Sequence, residues 1–436
     1  MDAWLLSLMA FAAMGLMLCL GVPIAFALAG VAIGGTLLTW GPQGLYMIPK
    51  TAYAEVTNYL IIAVPLFVLM SNLLQHSGLA EQLYEAVYRW MGRLRGGLAI
   101  GTVLICAVFA AMAGISSVAT VSMGLIALPS MLKRGYQKEI AIGTISAGGA
   151  LGILIPPSVI MIIYGAMAEV SIGQLFMGGI LPGVVLSGFF CLYVGVRCWL
   201  NPSLGPPVQE HYSLMQKLVV LKSILLPFLL ILSVLGVIYT GIATPTEAAG
   251  IGAFGAFICA LVHRKLTWKG LKQALASTTS LTAMVLWIMI GAVCFTRLLA
   301  YMGFSDLIKE AIAALPVSRW VVLAGMQLTF FILGMFLDPA GIIMLTTPIF
   351  VPIVGALGFD PVWFGVLFTV NMEMAYLTPP FGFNLFIMKG VVPRGITMED
   401  IYRSIWPFVI LQALGLLLCM LFPELVLWIP ASMLKG

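Results

Sequence analysis

Residues 146–158 have the sequence SAGGALGILIPPS, an apolar run with three glycines within five residues and two adjacent prolines. Each proline removes a backbone donor, and a proline also disfavours helical geometry at the residue before it. We therefore expect the helix through residues 139–168 to break here, and a shorter helix to begin at about Ser158. Inside a membrane, backbone groups freed by such a break are tolerated only beside protein or water.

A second stretch of the same kind lies later in the chain. Residues 371–384 have the sequence NMEMAYLTPPFGFN, and Pro379-Pro380 follows Pro156-Pro157 at an offset of 223 residues. The same offset relates three further pairs: Pro129 and Pro352, Gly135 and Gly358, and Tyr136 and Phe359. These matches predict an internal repeat, each half of which carries one broken transmembrane helix.

The segment before each broken helix is too short for two full crossings and a loop. Residues 96–132 number 37 and have small and polar residues, AGISS, at their centre, 113–117. A crossing needs about 20 residues, so we expect two half-length helices that form a re-entrant hairpin. A second hairpin is expected at 319–357, with LDPAG at its tip, 337–341.

The two hairpins differ in their flanking charges. Basic residues flank the first hairpin on both sides, whereas GFD follows the second at 358–360 and Arg319 is the nearby cation at its start. This asymmetry suggests that the hairpins enter from opposite sides of the membrane. An inverted repeat with paired hairpins and paired broken helices is typical of a secondary transporter, whose binding site lies near the bilayer midplane.

The composition places the whole chain in a membrane. Of its 436 residues, 62% are hydrophobic and 8% are charged, and the mean hydropathy is +1.11, whereas soluble proteins carry about 25% charged residues. A soluble enzyme, a disordered protein and a nucleic-acid binder are thereby excluded. Long continuous apolar runs favour helices over a barrel, and spans are predicted near 4–20, 24–40, 58–76, 175–200, 223–241, 247–262, 276–300 and 402–430.

Several polar features lie between these spans. Basic clusters near 89–95, 133–138 and 263–265 are expected on the cytoplasmic side. The amphipathic stretches 79–95 and 205–222 are expected to lie along the interface, and Thr244 to Glu247 should form a capping box. The seven cysteines show no ligand spacing, so neither disulfides nor a structural metal is expected.

These motifs resemble those of the large membrane subunit of tripartite ATP-independent periplasmic (TRAP) transporters. The resemblance covers essentially the whole chain and rests on four motifs: SAGGALGILIPPSVIMIIYG (146–165), GISS (114–117), GIATPTEAAG (241–250), and the pair DPAG (338–341) with TPPFGFN (378–384). It implies an all-α polytopic protein of the bacterial inner membrane with an elevator-type mechanism and sodium (Na+) as the coupling ion. It also implies a small four-helix membrane subunit, expected as a separate chain, and a periplasmic substrate-binding protein.

The resemblance also suggests how the chain is divided and what it carries. Residues 97–168 and 319–389 would form a transport domain, each half with one hairpin and one broken helix. The scaffold would comprise residues 1–96, 169–318 and 390–436. The substrate would be a small organic anion, such as a C4-dicarboxylate or a sugar acid like sialic acid.

Two sodium sites are predicted at the hairpin tips. The first would use the hydroxyls of Ser116 and Ser117 with carbonyls of Gly149 and Gly152 and those just before Pro156-Pro157, although such serines commonly bond back to carbonyls one turn earlier. The second would use Asp338 and neighbouring groups of Gly341, Met374, Tyr376, Leu377 and Thr378. Asp338 is also an ideal helix N-cap with proline at the first helical position.

The substrate is expected between the two tips and the starts of the half-helices. There, positive helix ends and free amides suit a carboxylate, and the candidate residues are Pro157, Ser158, Pro380, Phe381 and Asn384. Arg297 is a more remote candidate, because such an arginine more often extends to the interface.

Three functions remain open from the sequence. Sodium-coupled import of an organic anion is the leading interpretation. The alternative is a proton-coupled organic-acid transporter that uses Asp338 or Glu373, the other acid in a broken helix. A channel or a membrane-embedded enzyme is the least favoured, since the chain shows no metal, nucleophile or carboxylate-dyad pattern.

Overall fold

The protein is built from helices. The computed structural model describes residues 3–263, 265–304, 307, 310 and 317–433, and every regular element in these ranges is helical. Within the same ranges, six helices are long and apolar enough to cross a bilayer, or up to eight spans if two bent helix pairs are each counted as one. The predicted all-α polytopic class is confirmed. The predicted segments 1–96, 169–318 and 390–436 each include residues outside the described ranges.

The helices follow the chain in four groups. The first is α1 (Ala3–Cys19), α2 (Ile24–Trp40), α3 (Met47–Val56), α4 (Ala63–Gln75) and α5 (Leu79–Met91). Hairpin 1 is α6 (Gly97–Ala113) with α7 (Ser116–Lys133), and broken span 1 is α8 (Lys138–Ala150) with α9 (Val159–Met167). The middle group is α10 (Ile172–Leu200), α11 (Leu214–Tyr239), α12 (Pro245–Val262) and α13 (Trp268–Tyr301). Hairpin 2 is α14 (Arg319–Gly334) with α15 (Pro339–Ala356), broken span 2 is α16 (Pro361–Ala375) with α17 (Phe383–Val391), and α18 (Met398–Leu421) and α19 (Glu424–Ala431) follow.

Both predicted breaks are present. The helix of broken span 1 stops at Ala150 and resumes at Val159, and that of broken span 2 stops at Ala375 and resumes at Phe383. A cis peptide bond joins the two prolines in each break. The glycines and prolines therefore interrupt the helices where the sequence indicates.

Three predicted elements differ from the structure. The span expected at 402–430 is two helices, because the chain leaves helical geometry at Phe422 and Pro423 then begins α19. Residues 205–213 form no α-helix, and α11 begins only after a capping box between Ser213 and Gln216. The span expected at 58–76 begins with a 3₁₀ turn and is paired, across a 50° bend, with the helical residues 42–56.

The hairpin arms are longer than half-length helices. They contain 17, 18, 16 and 18 residues in chain order, which at 1.5 Å per residue gives about 24 to 27 Å. The hydrocarbon core is about 30 Å thick. Each arm is therefore nearly as long as this core is thick, and α7 and α15 are among the six helices counted above as long enough to cross a bilayer.

The second arm of each hairpin contacts the other half's broken span as well as its own. α7 of hairpin 1 packs on α17 of broken span 2, and α15 of hairpin 2 packs on α9 of broken span 1. The helix that follows each broken span also contacts the other half, since α10 packs on α16 and α18 packs on α8. Each half thus completes the surroundings of the other half's break.

A second group of helices lies beside this assembly. α2 packs along α13, and α4 packs against both α12 and α13. The two groups meet where α4 touches α6 and α9, and where α13 touches α15. Elsewhere, the buried rings of Phe67 on α4 and Phe176 on α10 lie 5.8 Å apart between centroids.

Candidate functional site

The tip of hairpin 1 lies directly on broken span 1. Gly114 has a φ of +61°, and a Cβ atom there would lie 2.6 Å from the carbonyl oxygen of Pro157. The main chain of Val159 donates to the carbonyl of Gly114 across this contact, at 3.4 Å. A Cβ on Gly152 would lie 3.0 Å from the Cα of Ser116. Only glycine allows the two backbones to approach so closely at these points.

Of the two predicted serine ligands, Ser116 is buried and Ser117 is half-buried. The Ser116 hydroxyl has no hydrogen-bond partner within the described residues, so the expected bond back to a carbonyl one turn earlier is not made. A buried hydroxyl without a partner loses its hydration at a cost of about 1–3 kcal/mol. Ser116 therefore presents an uncommitted oxygen to the break in broken span 1.

A hydrogen-bond relay joins hairpin 1 to both broken spans. The Thr120 hydroxyl donates to Oδ1 of Asn384 at 2.9 Å, and Nδ2 of Asn384 donates to the Ser146 carbonyl at 2.8 Å. Asn384 and Thr120 are fully buried. Asn384 was predicted to bind substrate, and here both ends of its amide are occupied within the protein.

The tip of hairpin 2 is organised by Asp338. Its carboxylate accepts from the main chain of Gly341 at 3.1 Å and caps α15, so the capping role is confirmed. The Tyr376 side chain lies near this carboxylate. The Thr378 hydroxyl donates to the Met374 carbonyl at 2.8 Å. The residues predicted for the second sodium site therefore lie in one region. The carbonyl oxygen of Met374 already accepts a hydrogen bond from Thr378.

The predicted substrate residues fall into buried and open positions. Ser158 is fully buried, caps α9 through Met161, and donates its hydroxyl to the Ile153 carbonyl at 2.5 Å. The Pro380 carbonyl accepts from the Tyr402 hydroxyl at 2.9 Å. Phe381 is 53% exposed and lies beside the exposed ring of Phe336, 5.7 Å away between centroids.

The comparison with protein families gives one consistent result. Residues 11–425 match the model of the tripartite ATP-independent periplasmic transporter, DctM component. The chain belongs to this family. It is thus a TRAP large permease of the inner membrane and a transporter rather than an enzyme, as the sequence motifs predicted.

Individual relatives and one solved structure agree with this family assignment. The chain is 32% identical to the C4-dicarboxylate TRAP transporter large permease protein DctM of Rhodobacter capsulatus over 425 residues, 94% of this chain and 95% of that protein. It is 31% identical to the isethionate TRAP transporter permease protein DctMQ of Oleidesulfovibrio alaskensis over 95% of this chain and 65% of that longer protein. The YdaH transporter of Alcanivorax borkumensis has a similar fold, with a TM-score of 0.66, 16% identity and coverage of 94% and 97%.

This TRAP permease has a cavity between its two groups of helices. The cavity has a volume of about 780 Å³ and is lined by the end of α9, by α15, by α13 and by the segment 55–60. Arg297 lines it and donates to the Thr51 hydroxyl at 2.7 Å. Arg297 therefore faces an internal cavity, together with Glu55 and Glu169. None of the predicted substrate ligands at the tips lines this cavity.

Sequence reasoning missed three residues of the permease's central relay. Thr120 lies four residues after Ser116 on the same face of α7, which is a signal that could have found it. Ser146 contributes a backbone carbonyl, and Gly114, which lies at the tip beside the relay, contributes its lack of a side chain and a carbonyl that accepts from Val159. Backbone roles of this kind leave no side-chain pattern to detect.

Proposed function

We propose that this TRAP permease imports a small organic anion together with Na+ by an elevator movement. In family terms it is a secondary active importer that works with a substrate-binding protein. The finer proposal is that the hairpins and broken spans move as one body against α1–α5 and α11–α13. The sequence assigned α10 and α18 to the scaffold, but we include them in the moving body because α10 packs on α16 and α18 packs on α8. The anion would be a carboxylate, for which the C4-dicarboxylate relative provides the first candidates.

The exchanged packing of the two halves is the observation that supports this most. The second arm of each hairpin contacts the other half's broken span, so the two sets of free backbone groups share one interior. Half-helices α9 and α17 begin at the breaks, and their positive ends favour an anion. The moving unit would then contain both kinds of group: helix ends that favour an anion and oxygen atoms that suit a monovalent cation.

The proposed Na+ positions use oxygens at the two tips. At the first tip, the uncommitted Ser116 hydroxyl and carbonyls of the break beside Gly149 and Gly152 would coordinate one ion. At the second, Asp338 would provide charge while it caps α15. Ions at both tips would hold each hairpin to the break of its own half and thereby raise the affinity for the anion; the coupling is necessarily reciprocal.

The seam between the moving and fixed groups supports an elevator movement. The 780 Å³ cavity lies in this seam, with α9 and α15 on one side and α13 on the other. Its charged side chains are those of Glu55, Glu169 and Arg297, and we propose that Arg297 is the group that contacts the anion on its way to the tips. A small four-helix membrane subunit would bind the fixed group, and a periplasmic binding protein would deliver the anion.

Reconstitution tests this function directly. The permease and the small subunit are placed in proteoliposomes, with the loaded binding protein outside, and uptake of a labelled dicarboxylate is measured under an imposed sodium gradient or an imposed pH gradient. We expect uptake to follow the sodium gradient and to need both partners. Uptake that follows only the pH gradient would reject sodium coupling in favour of the proton-coupled alternative. Thermal shift of the binding protein against a panel of carboxylates and sulfonates identifies the anion.

A further inference from the structure

The end of α5 and the start of α11 form one continuous surface. The two helices pack on each other, and the indole nitrogen of Trp90 donates to the Lys217 carbonyl at 3.1 Å. We define residues 90–95 and 214–221 together as the arm surface. None of its residues lines the cavity or belongs to the proposed ion and anion sites.

Apolar side chains of the arm surface are exposed on both helices. Leu214 and Met215 are 74% and 71% exposed, and Trp90, Leu94 and Leu218 are also exposed. Such a cluster is unfavourable in contact with water and marks a site of interaction with another molecule. Tryptophan and leucine side chains next to basic residues are typical of a segment that lies at the membrane interface.

The bend in α11 supports this position. Its first part, Leu214–Leu221, is inclined by 47° to its second part, Leu225–Tyr239. The second part belongs to a predicted span, so the first part is turned from the direction of that span toward the membrane plane. A helix in that position has its exposed apolar side chains at the depth where lipid headgroups meet acyl chains.

The polar part of the arm surface is positively charged. Arg93 and Arg95 are exposed, and Lys217 lies at the joint of the two helices. No ion pair in the parts of the chain that the structure describes includes these three residues. Glu85, one turn before the arm surface, already pairs with Arg89 at 2.7 Å. Three cations therefore flank the exposed apolar side chains without a counter-ion among the described residues.

We propose that the arm surface binds anionic phospholipids of the surrounding membrane. Arg93, Arg95 and Lys217 contact the headgroup phosphates, and the exposed apolar side chains lie among the acyl chains. Each basic residue near an anionic membrane surface strengthens binding about fivefold. A lipid fits better than a free phosphate, because only a lipid matches both the charged and the apolar parts of the surface.

The arm surface also lies beside the connection between the fixed and moving groups of helices. The main chain of Val208 donates to the Gly92 carbonyl of the arm surface at 2.7 Å, and the main chain of Gly96, just before hairpin 1, donates to the Gly205 carbonyl at 2.9 Å. One short segment between α10 and α11 thus holds both the end of α5 and the base of hairpin 1. A bound lipid anchors the fixed side of this connection, against which hairpin 1 would move.

The first experiment measures lipid binding without any transport. The full-length permease is titrated in detergent micelles with phosphatidylglycerol, and bound lipid is counted by native mass spectrometry, with phosphatidylcholine as the neutral reference. We expect phosphatidylglycerol to bind more tightly, and R93Q/R95Q to weaken its binding about fivefold or more without affecting phosphatidylcholine. Equal affinities of the unmodified protein for the two lipids would overturn the proposal.

A matched control removes the same charge elsewhere. Lys269 and Lys272 are exposed at the beginning of α13, beside the exposed ring of Trp268. K269Q/K272Q should leave phosphatidylglycerol binding within about twofold, because exposed charges remote from the bound headgroup are screened. An equal loss of binding in the two double variants would show that overall charge, and not the arm surface, attracts the lipid.

The second experiment distinguishes a lipid from a free phosphate. L214S/M215S keeps the three cations and removes the two most exposed apolar side chains, so it should weaken phosphatidylglycerol binding about tenfold. Inorganic phosphate at the same concentration as the lipid should not displace it from the unmodified protein. Displacement by inorganic phosphate, together with unchanged lipid binding in L214S/M215S, would mean a site for the free anion and would overturn the proposal.

The third experiment rests on the proposed function. Uptake is compared in proteoliposomes with and without phosphatidylglycerol, at one imposed sodium gradient and equal protein abundance. We expect phosphatidylglycerol to raise uptake by the unmodified protein several-fold and to leave uptake by R93Q/R95Q unchanged. An equal rise in both would contradict the anchoring role of the lipid. Loss of the small subunit from R93Q/R95Q, with lipid binding intact, would assign the arm surface to that subunit. Absence of uptake in every lipid mixture, with lipid binding intact, would refute the transport function and leave the lipid site standing.

Discussion

The contact between hairpin 1 and broken span 1 can be tested at a single glycine. A Cβ on Gly149 would lie 2.0 Å from the Thr120 hydroxyl oxygen, and 3.1 Å from both the Cβ and the backbone nitrogen of Thr120. Rotation of the Thr120 side chain could relieve the first contact but not the third. G149A must therefore either displace α7 or turn the hydroxyl away from Asn384.

The free-energy cost of G149A follows from the hydrogen bond that rotation of the Thr120 side chain breaks. Without Thr120, Oδ1 of Asn384 is left buried and unpaired, at about 1–3 kcal/mol, and the remaining tight contacts add an overpacking cost of about 1–3 kcal/mol. Alanine in place of a helical glycine returns up to about 1 kcal/mol. The net loss is about 1–5 kcal/mol, and its lower part of about 1–3 kcal/mol already corresponds to about 5- to 150-fold in an ion-binding equilibrium.

Uptake into proteoliposomes at increasing sodium concentration provides the assay. We expect G149A to raise the half-saturating sodium concentration by a factor in this range at equal protein abundance. G188A is the matched control, because Gly188 lies inside α10 and a Cβ there meets nothing within 4 Å. Equal behaviour of G149A and G188A would show that this contact does not govern ion binding, and the proposed first site would lose its main structural support.

Substitutions at four further residues separate structural from transport roles. S116A removes a buried hydroxyl that has no partner, so thermal stability should hold or rise while half-saturating sodium rises about tenfold or more; unchanged sodium dependence removes Ser116 from the site. D338N keeps an N-cap but loses the charge, so it should weaken ion binding at nearly full stability, whereas D338A should also lose about 1 kcal/mol of unfolding free energy. T120V should cost about 1–3 kcal/mol by leaving Asn384 unpaired, measured by thermal unfolding in detergent. R297Q should raise the KM for the anion about tenfold or more with kcat less affected, and an unchanged KM would exclude the cavity from the anion's path.

The sequence predicted those parts of the fold that follow from local backbone chemistry. Adjacent prolines and clustered glycines break helices wherever the chain places them, and both breaks occur at the expected residues. The capping box at Thr244 and Glu247 is confirmed for the same reason, because the two residues satisfy each other's backbone groups three positions apart. Hydropathy predicted the positions of most spans, because the length of an apolar run is enough to indicate a membrane crossing.

Tertiary contacts account for what could not be predicted. Gly149 and Gly152 were expected to provide carbonyls, yet their missing side chains also make room for Thr120 and Ser116. Asn384 was expected to bind substrate, a prediction that stays untested, and its amide also joins hairpin 1 to broken span 1. The partners of Asn384 lie more than two hundred residues away in the chain, and no spacing rule connects them with it.

The relay through Asn384 gives the proposed coupling a physical basis. Thr120 belongs to hairpin 1, the Ser146 carbonyl to broken span 1, and Asn384 to broken span 2. An ion held at the Ser116 tip would fix α7, and α7 can move only if Asn384 gives up a buried hydrogen bond. The start of α17, where the anion is proposed to bind, would therefore be ordered by an ion on the other half of the molecule. Because α15 covers α9 in the same exchanged way, an ion at Asp338 would order the start of α9. Each proposed ion thus acts on the opposite half-helix, so that the anion would meet two ordered helix ends only when both tips are closed.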